Sequence, residues 1–129
     1  MSNARVLIVE DDSSIGTVVR AALEAEGIDV EVCETTRARD AALAANRFDV
    51  MLTDVVLKDR DGISSLEGVI GEWPDMPIIV MSAQNTLDTA VRASEINAFE
   101  YFPKPFDLNE LVVAVKQGVD KRRSDVTPG

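Results

Sequence analysis

Residues 5–12 read RVLIVEDD, an apolar run that ends on Asp11 and Asp12. An apolar run without alternation reads as an interior strand covered on both faces, the situation created when helices flank a parallel sheet. The same construction returns downstream: FDVMLT is followed by Asp54, and AFEYF leads through Pro103 to Lys104. In an open parallel sheet the carboxyl ends of the strands line one crevice, so charges that follow three distant strands converge there.

Working outward, strand-like and helix-like patterns alternate. Val6–Val9, Val50–Leu52 and Ile78–Met81 are near-continuous apolar runs and read as interior strands. Val30–Glu34 alternates and Ala98–Phe102 carries Glu100 in its middle, so these two read as edges. Ile15, Val18, Val19, Ala22 and Leu23 recur at helical spacing until Gly27. A second helix, over about 37–45, is expected to turn Ala38, Ala41, Ala42 and Ala45 toward the sheet, with Thr36 as its cap. Leu66, Val69, Ile70 and Trp73 form a third stripe before Pro74. The fourth, roughly 86–96, presents Leu87, Ala90, Val91 and Ser94 and is expected to be mobile, because small side chains bury little area. In the fifth, Asp107 and Glu110 make a capping-box-like pair, Phe106 and Leu111 a hydrophobic staple, and Leu108, Val112, Val115 and Val119 complete an inward face. Residues 121–129 are polar and end in Thr-Pro-Gly, so the folded domain is expected over 1–120 with a linker or frayed tail after it.

Five strands alternating with five helices imply right-handed crossovers and an α/β flavodoxin-like fold, a doubly wound five-stranded parallel sheet in the order 2-1-3-4-5. Its topological switch point lies between strands one and three, which end at Asp11, Asp12 and Asp54.

Composition narrows the function. At 129 residues and 46% hydrophobic the chain has the size of one domain with a substantial core. With 23 acidic against 13 basic residues, a net charge of -10, sequence-independent nucleic-acid binding by this domain is not expected. Cys33 is the single cysteine, so no intramolecular disulfide or thiolate cluster can form, and it reads as a small buried hydrophobe. MSNARV lacks the apolar core of a signal peptide and no run approaches the ~18 apolar residues of a membrane span, so a cytoplasmic location is expected. There is no histidine. A partner must supply any imidazole chemistry.

Neighbouring carboxylates stay ionised together only if a cation is bound or one of them takes up a proton. An anionic, all-oxygen pocket favours Mg²⁺, whose free positions accept phosphate oxygens. Three carboxylates against a divalent ion and Lys104 come to about zero, leaving metal and ammonium to counter a transferring phosphoryl group. Asp54 is then the candidate nucleophile, forming an acyl phosphate, and Ser82 is placed to donate a hydroxyl. The plainer alternatives are that Asp11 or Asp12 caps the first helix, that Asp59 and Asp61 are turn residues, and that Ser82 caps the next helix.

IVEDD, LTD at Asp54, MSA at Ser82 and EYFPKPF at Lys104 together resemble a response-regulator receiver domain over about residues 4–122, and FEYFPKPFDLNEL is most similar to NtrC-type nitrogen regulators. The resemblance implies a CheY-like fold and an Asp54 that accepts phosphate from the phosphohistidine of a sensor histidine kinase. It implies that Asp12 binds Mg²⁺ directly with Asp11 helping through water, and that the Val56 carbonyl completes the protein ligands. Lys104 would pair with the phosphoryl group, Ser82 with its neighbour Ala83 would form the phosphate-binding switch, Tyr101 would change rotamer, and the Lys104–Pro105 peptide would be cis. Signalling would pass to a C-terminal transcriptional output domain outside these residues, with homodimerisation through the helix-four to helix-five face.

Two departures stand out: Lys58 where such loops often carry proline, and Ser82 where threonine is frequent. They bear on the stiffness of the Val55–Gly62 loop and on how sharply two-state the switch is. The rival reading is an aspartyl-phosphate-forming phosphohydrolase of similar fold. It lacks an acid-base carboxylate, because Val55 and Val56 follow Asp54.

Overall fold

Strand β1 (Arg5–Val9) is buried at four of its five residues because it has neighbours on both sides and helices on both faces. The computed structural model describes residues 3–55, 65–82 and 87–126. After β1 come α1 (Ser13–Glu24), β2 (Asp29–Cys33), α2 (Thr36–Ala45), β3 (Val50–Asp54), α3 (Leu66–Glu72), β4 (Ile78–Ser82), α4 (Leu87–Glu95), β5 (Glu100–Pro103) and α5 (Leu108–Val126). All strand pairs are parallel and the order is β2-β1-β3-β4-β5, as the alternation of patterns predicted. β3 and β4 are buried at every residue, while β2 and β5 show the partial exposure of edges.

Side chains alternate across the sheet and build two apolar layers. Val6, Ile8, Val50, Leu52, Ile79 and Met81 face α1 and α5, where they meet Val19, Leu23, Leu111, Val115 and Val119. Leu7, Val9, Met51, Val55, Ile78 and Val80 face the opposite way, toward Leu43 of α2, Leu66 and Val69 of α3, and Ala93 of α4. Gly118 lets α5 come close: a Cβ there would stand 3.0 Å from the Val50 side chain.

Several local expectations are corrected. The cap of α2 is Thr35, whose hydroxyl accepts the Ala38 N–H at 3.0 Å. The buried face of α2 is Thr36, Arg39, Ala42 and Leu43, and Ala38, Ala41 and Ala45 are exposed. In α4 the side chains are described from residue 90, and among them Ala93 is buried while Val91 and Ser94 face solvent; Leu87 lies outside the described side chains. The tail expected from residue 121 begins inside a helix, since α5 runs to Val126, and Arg123 pairs with Asp49 at 3.6 Å. The start of α5 is as expected, with Asp107 accepting the Glu110 N–H at 3.1 Å. Cys33 is buried and burial pushes its thiol up to about 12, which keeps it protonated. Among the described residues no helix is long and apolar enough to cross a membrane.

Candidate phosphoacceptor site

Register brings the site together. Val9 lies opposite Thr53, Asp54 opposite Met81, and Ser82 opposite Pro103, and the ladder continues through Lys104 N–H to the Ser82 carbonyl at 2.7 Å. Side-chain direction then selects the members. Glu10, Asp54 and Lys104 each stand two residues beyond Ile8, Leu52 and Phe102, so all three continue rows of the α1/α5 layer. Ser82 and Tyr101 continue the other layer: Ser82 lies two beyond Val80 and is fully buried, and Tyr101 packs half-buried on the cluster that holds Ala93.

The charged ends meet closely. The Lys104 ammonium donates to Glu10 Oε1 at 2.5 Å and to Asp54 Oδ2 at 2.7 Å. Glu10 and Asp54 are both buried, and carboxylate oxygens of Glu10, Asp11 and Asp54 lie within 4.8 Å of one another. Burial first, then the adjacent Asp54 carboxylate, moves the Glu10 carboxyl from its ordinary 4.5 up to about 7. Burial works against the Lys104 ammonium, but its hydrogen bonds to Asp54 and Glu10 outweigh that and raise its pKa. Three close carboxylates facing one ammonium leave a deficit of positive charge. The oxygen-only donor set and the crowding of carboxylates that raises the Glu10 pKa both fit a small hard cation such as Mg²⁺.

Asp12 sits at the start of α1. Its Oδ1 accepts the Ser14 N–H at 2.9 Å and the Ile15 N–H at 3.3 Å, so in this structure the exposed carboxylate caps α1. Glu10 joins Asp11 and Asp54 in the acidic cluster, with Oε2 accepting the Asp12 N–H at 3.2 Å. The missed residue was legible in the two-residue period, because Glu10 stands to Ile8 as Asp54 stands to Leu52. Asp11, Asp54 and Lys104 are where the sequence placed them relative to the crevice, and the Lys104–Pro105 peptide is cis. Val56, Lys58, Asp59, Asp61 and Ala83 lie outside the described residues.

Comparison with known proteins agrees with this geometry. Residues 6–116 match the response regulator receiver domain family. The DNA-binding transcriptional regulators NtrC of Rhizobium meliloti and Azospirillum brasilense are 42% and 43% identical over 87% and 93% of this chain. The chain spans about a quarter of the length of these relatives, 23% and 25%. Among solved structures, a CheY-like receiver domain protein from Methanospirillum hungatei superposes with a TM-score of 0.90 at 29% identity, covering 96% of this chain and 99% of that one. The non-phosphorylated HemR receiver domain of Leptospira biflexa gives 0.84 at 28% identity, covering 98% of each. A sheet in the order 2-1-3-4-5 that gathers an acidic cluster and a lysine at its carboxyl end, together with a family match over residues 6–116, means that this chain belongs to the response regulator receiver domains.

Proposed function

We propose that this receiver domain accepts a phosphoryl group on Asp54 from the phosphohistidine of a sensor histidine kinase, and that the acyl phosphate switches the protein between two states. The observation that carries this reading is Lys104 bridging Asp54 and Glu10 inside a buried acidic cluster. One Asp54 oxygen attacks phosphorus, the P–N bond of the donor breaks, and its electron pair returns to the imidazole nitrogen. Lys104 is already bonded at the nucleophile and counters charge on the arriving phosphoryl oxygens without reorganising. Glu10, Asp11 and Asp54 would hold Mg²⁺, with the Val56 carbonyl as the ligand that the family resemblance adds. The ion would supply the divalent positive charge that two ionised acids and a phosphoryl group require. For that, Glu10 gives up its proton.

Ser82 is the hydroxyl and Tyr101 the aromatic that would follow the phosphate, with Ala83 beside Ser82 in the switch. Both described residues belong to the layer of α2, α3 and α4, so their movement would alter that face. The output would be transcriptional control of the nitrogen-regulator type, exerted in the cytoplasm through a DNA-binding part of a longer protein. Incubation with Mg²⁺ and acetyl phosphate should give a labile acyl phosphate seen as one phosphoryl mass increment, and Asp54→Asn should abolish it. Equal labelling of that variant refutes the assignment. Continuous phosphate release from varied organic esters would instead favour a hydrolase.

A further inference from the structure

Arg39 is a buried arginine on a helix whose other charged side chains, Arg37 and Asp40, are exposed. Its Nε donates to Asp40 Oδ1 at 2.9 Å, and its Nη1 donates to Ser65 Oγ at 2.8 Å, 26 residues along the chain. Burying a guanidinium is costly before compensation, and the largely exposed Asp40 returns little of that cost. The bond to Ser65 is the part that reaches another element.

Ser65 occupies the cap position of α3 but makes no side-chain capping bond. That helix has seven residues, two of them Gly68 and Gly71, so it is weak by its own propensity. Its start is therefore placed by a neighbour. Leu66 and Val69, the buried residues of α3, share one apolar cluster with Ala42 and Leu43 of α2 and with Val55, the residue that follows Asp54. Beside this contact lies a cavity of about 310 Å³ lined by Arg39, Ser65, Val69, Glu72 and Trp73. Without the arginine bond the first turn of α3 has room to shift.

We propose that Arg39 is a positioning residue for phosphoryl transfer: it holds Ser65, and so fixes α3 against α2 and against Val55, which is peptide-bonded to Asp54. The inference rests on Asp54 being the phosphoacceptor. Small displacements of a reacting group cost rate steeply, so Ser65→Ala and Arg39→Met should each slow labelling by Mg²⁺ and acetyl phosphate about fivefold without changing its final extent. Arg39→Lys, which keeps a donor, should recover part of the rate. The double variant should be no slower than Arg39→Met alone, because both changes act through one bond. Labelling of Ser65→Ala and Arg39→Met at the wild-type rate overturns the proposal while leaving Asp54 in place. So does additivity of the two. A shift in the emission of Trp73, the only tryptophan, with an unchanged rate also overturns it, since a purely structural bond would give that. If Arg39→Met fails to fold, Ser65→Ala decides. If the wild-type chain takes no phosphoryl group, the assignment of Asp54 falls first and this inference with it.

Discussion

The two faces of the sheet are built differently. On one, α1 and α5 run for 12 and 19 residues, α1 is capped by Asp12, and Lys116 and Arg123 tie α5 to Glu26 and Asp49. On the other, α2, α3 and α4 have 10, 7 and 9 residues, α3 lacks a side-chain cap, and a cavity lies beside its contact with α2. Glu10, Asp54 and Lys104 continue rows of the first face, and Ser82 and Tyr101 continue rows of the second. On the function proposed above, chemistry would sit with the longer helices and the response with the shorter ones, and the alternation of side chains along a strand would serve both from adjacent positions.

A matched pair of leucines tests this division most directly. Leu66 in α3 and Leu111 in α5 are both fully buried, one on each face. Truncation to alanine costs roughly 2–5 kcal/mol, depending on how far the surroundings close over the space. The braced face should relax least, so Leu111→Ala is expected near the upper end of that range, about 4 kcal/mol, and Leu66→Ala near the lower, about 2 kcal/mol. Urea unfolding of the two variants measures the difference. Equal losses would mean that the faces are equally firm.

The next effect is electrostatic and runs through Glu10. Its folded pKa is raised from 4.5 to about 7, so in metal-free protein it stabilises the fold fully at pH values below 4.5 and loses that contribution as pH rises through 7. The melting temperature of wild type relative to Glu10→Gln should therefore fall by several degrees between about pH 5 and about pH 8. Saturating Mg²⁺ should remove the fall, because it favours the ionised carboxylate, and apparent Mg²⁺ affinity should weaken below about pH 7 as protons compete. A flat difference curve without metal would show that Glu10 carries no excess proton. Because Glu10 Oε2 also accepts the Asp12 N–H, the loss should reach the first turn of α1, on the braced face.

Much of this was legible in the sequence. Apolar runs ending in charge marked β1, β3 and the crevice, and composition separated interior strands from edges, because burial on both faces leaves no room for alternation. What failed was phase. The alanines of α2 offered no strong preference for one side, so Arg39, with Leu43, took the inward position that residue type alone assigned to alanine. In the acidic triplet Glu10-Asp11-Asp12, residue type pointed to the two aspartates and passed over Glu10, which strand parity puts inside. The helical turns after Val119 were invisible because Asp120, Lys121, Arg122 and Arg123 supply no apolar residue that would mark a period.

The smallest expected effect separates capping from metal binding and compares the faces once more. Asp12 caps α1 on the braced side, and Thr35 caps α2 on the yielding side. Each satisfies N–H groups that the first turn leaves unpaired, so Asp12→Ala and Thr35→Ala should each cost about 1 kcal/mol. Aspartate also favours the positive end of the helix, which adds a few tenths at low salt and makes the loss at Asp12 slightly the larger and the more salt-dependent. Neither change removes a carboxylate from the cluster of Glu10, Asp11 and Asp54, so Mg²⁺ affinity should stay within about twofold of wild type in both variants. Asp11→Ala should weaken it by a far larger factor. A loss of metal affinity in Asp12→Ala equal to that in Asp11→Ala would return Asp12 to the ligand set, and the cap would then be only the resting position of a side chain that turns to the ion.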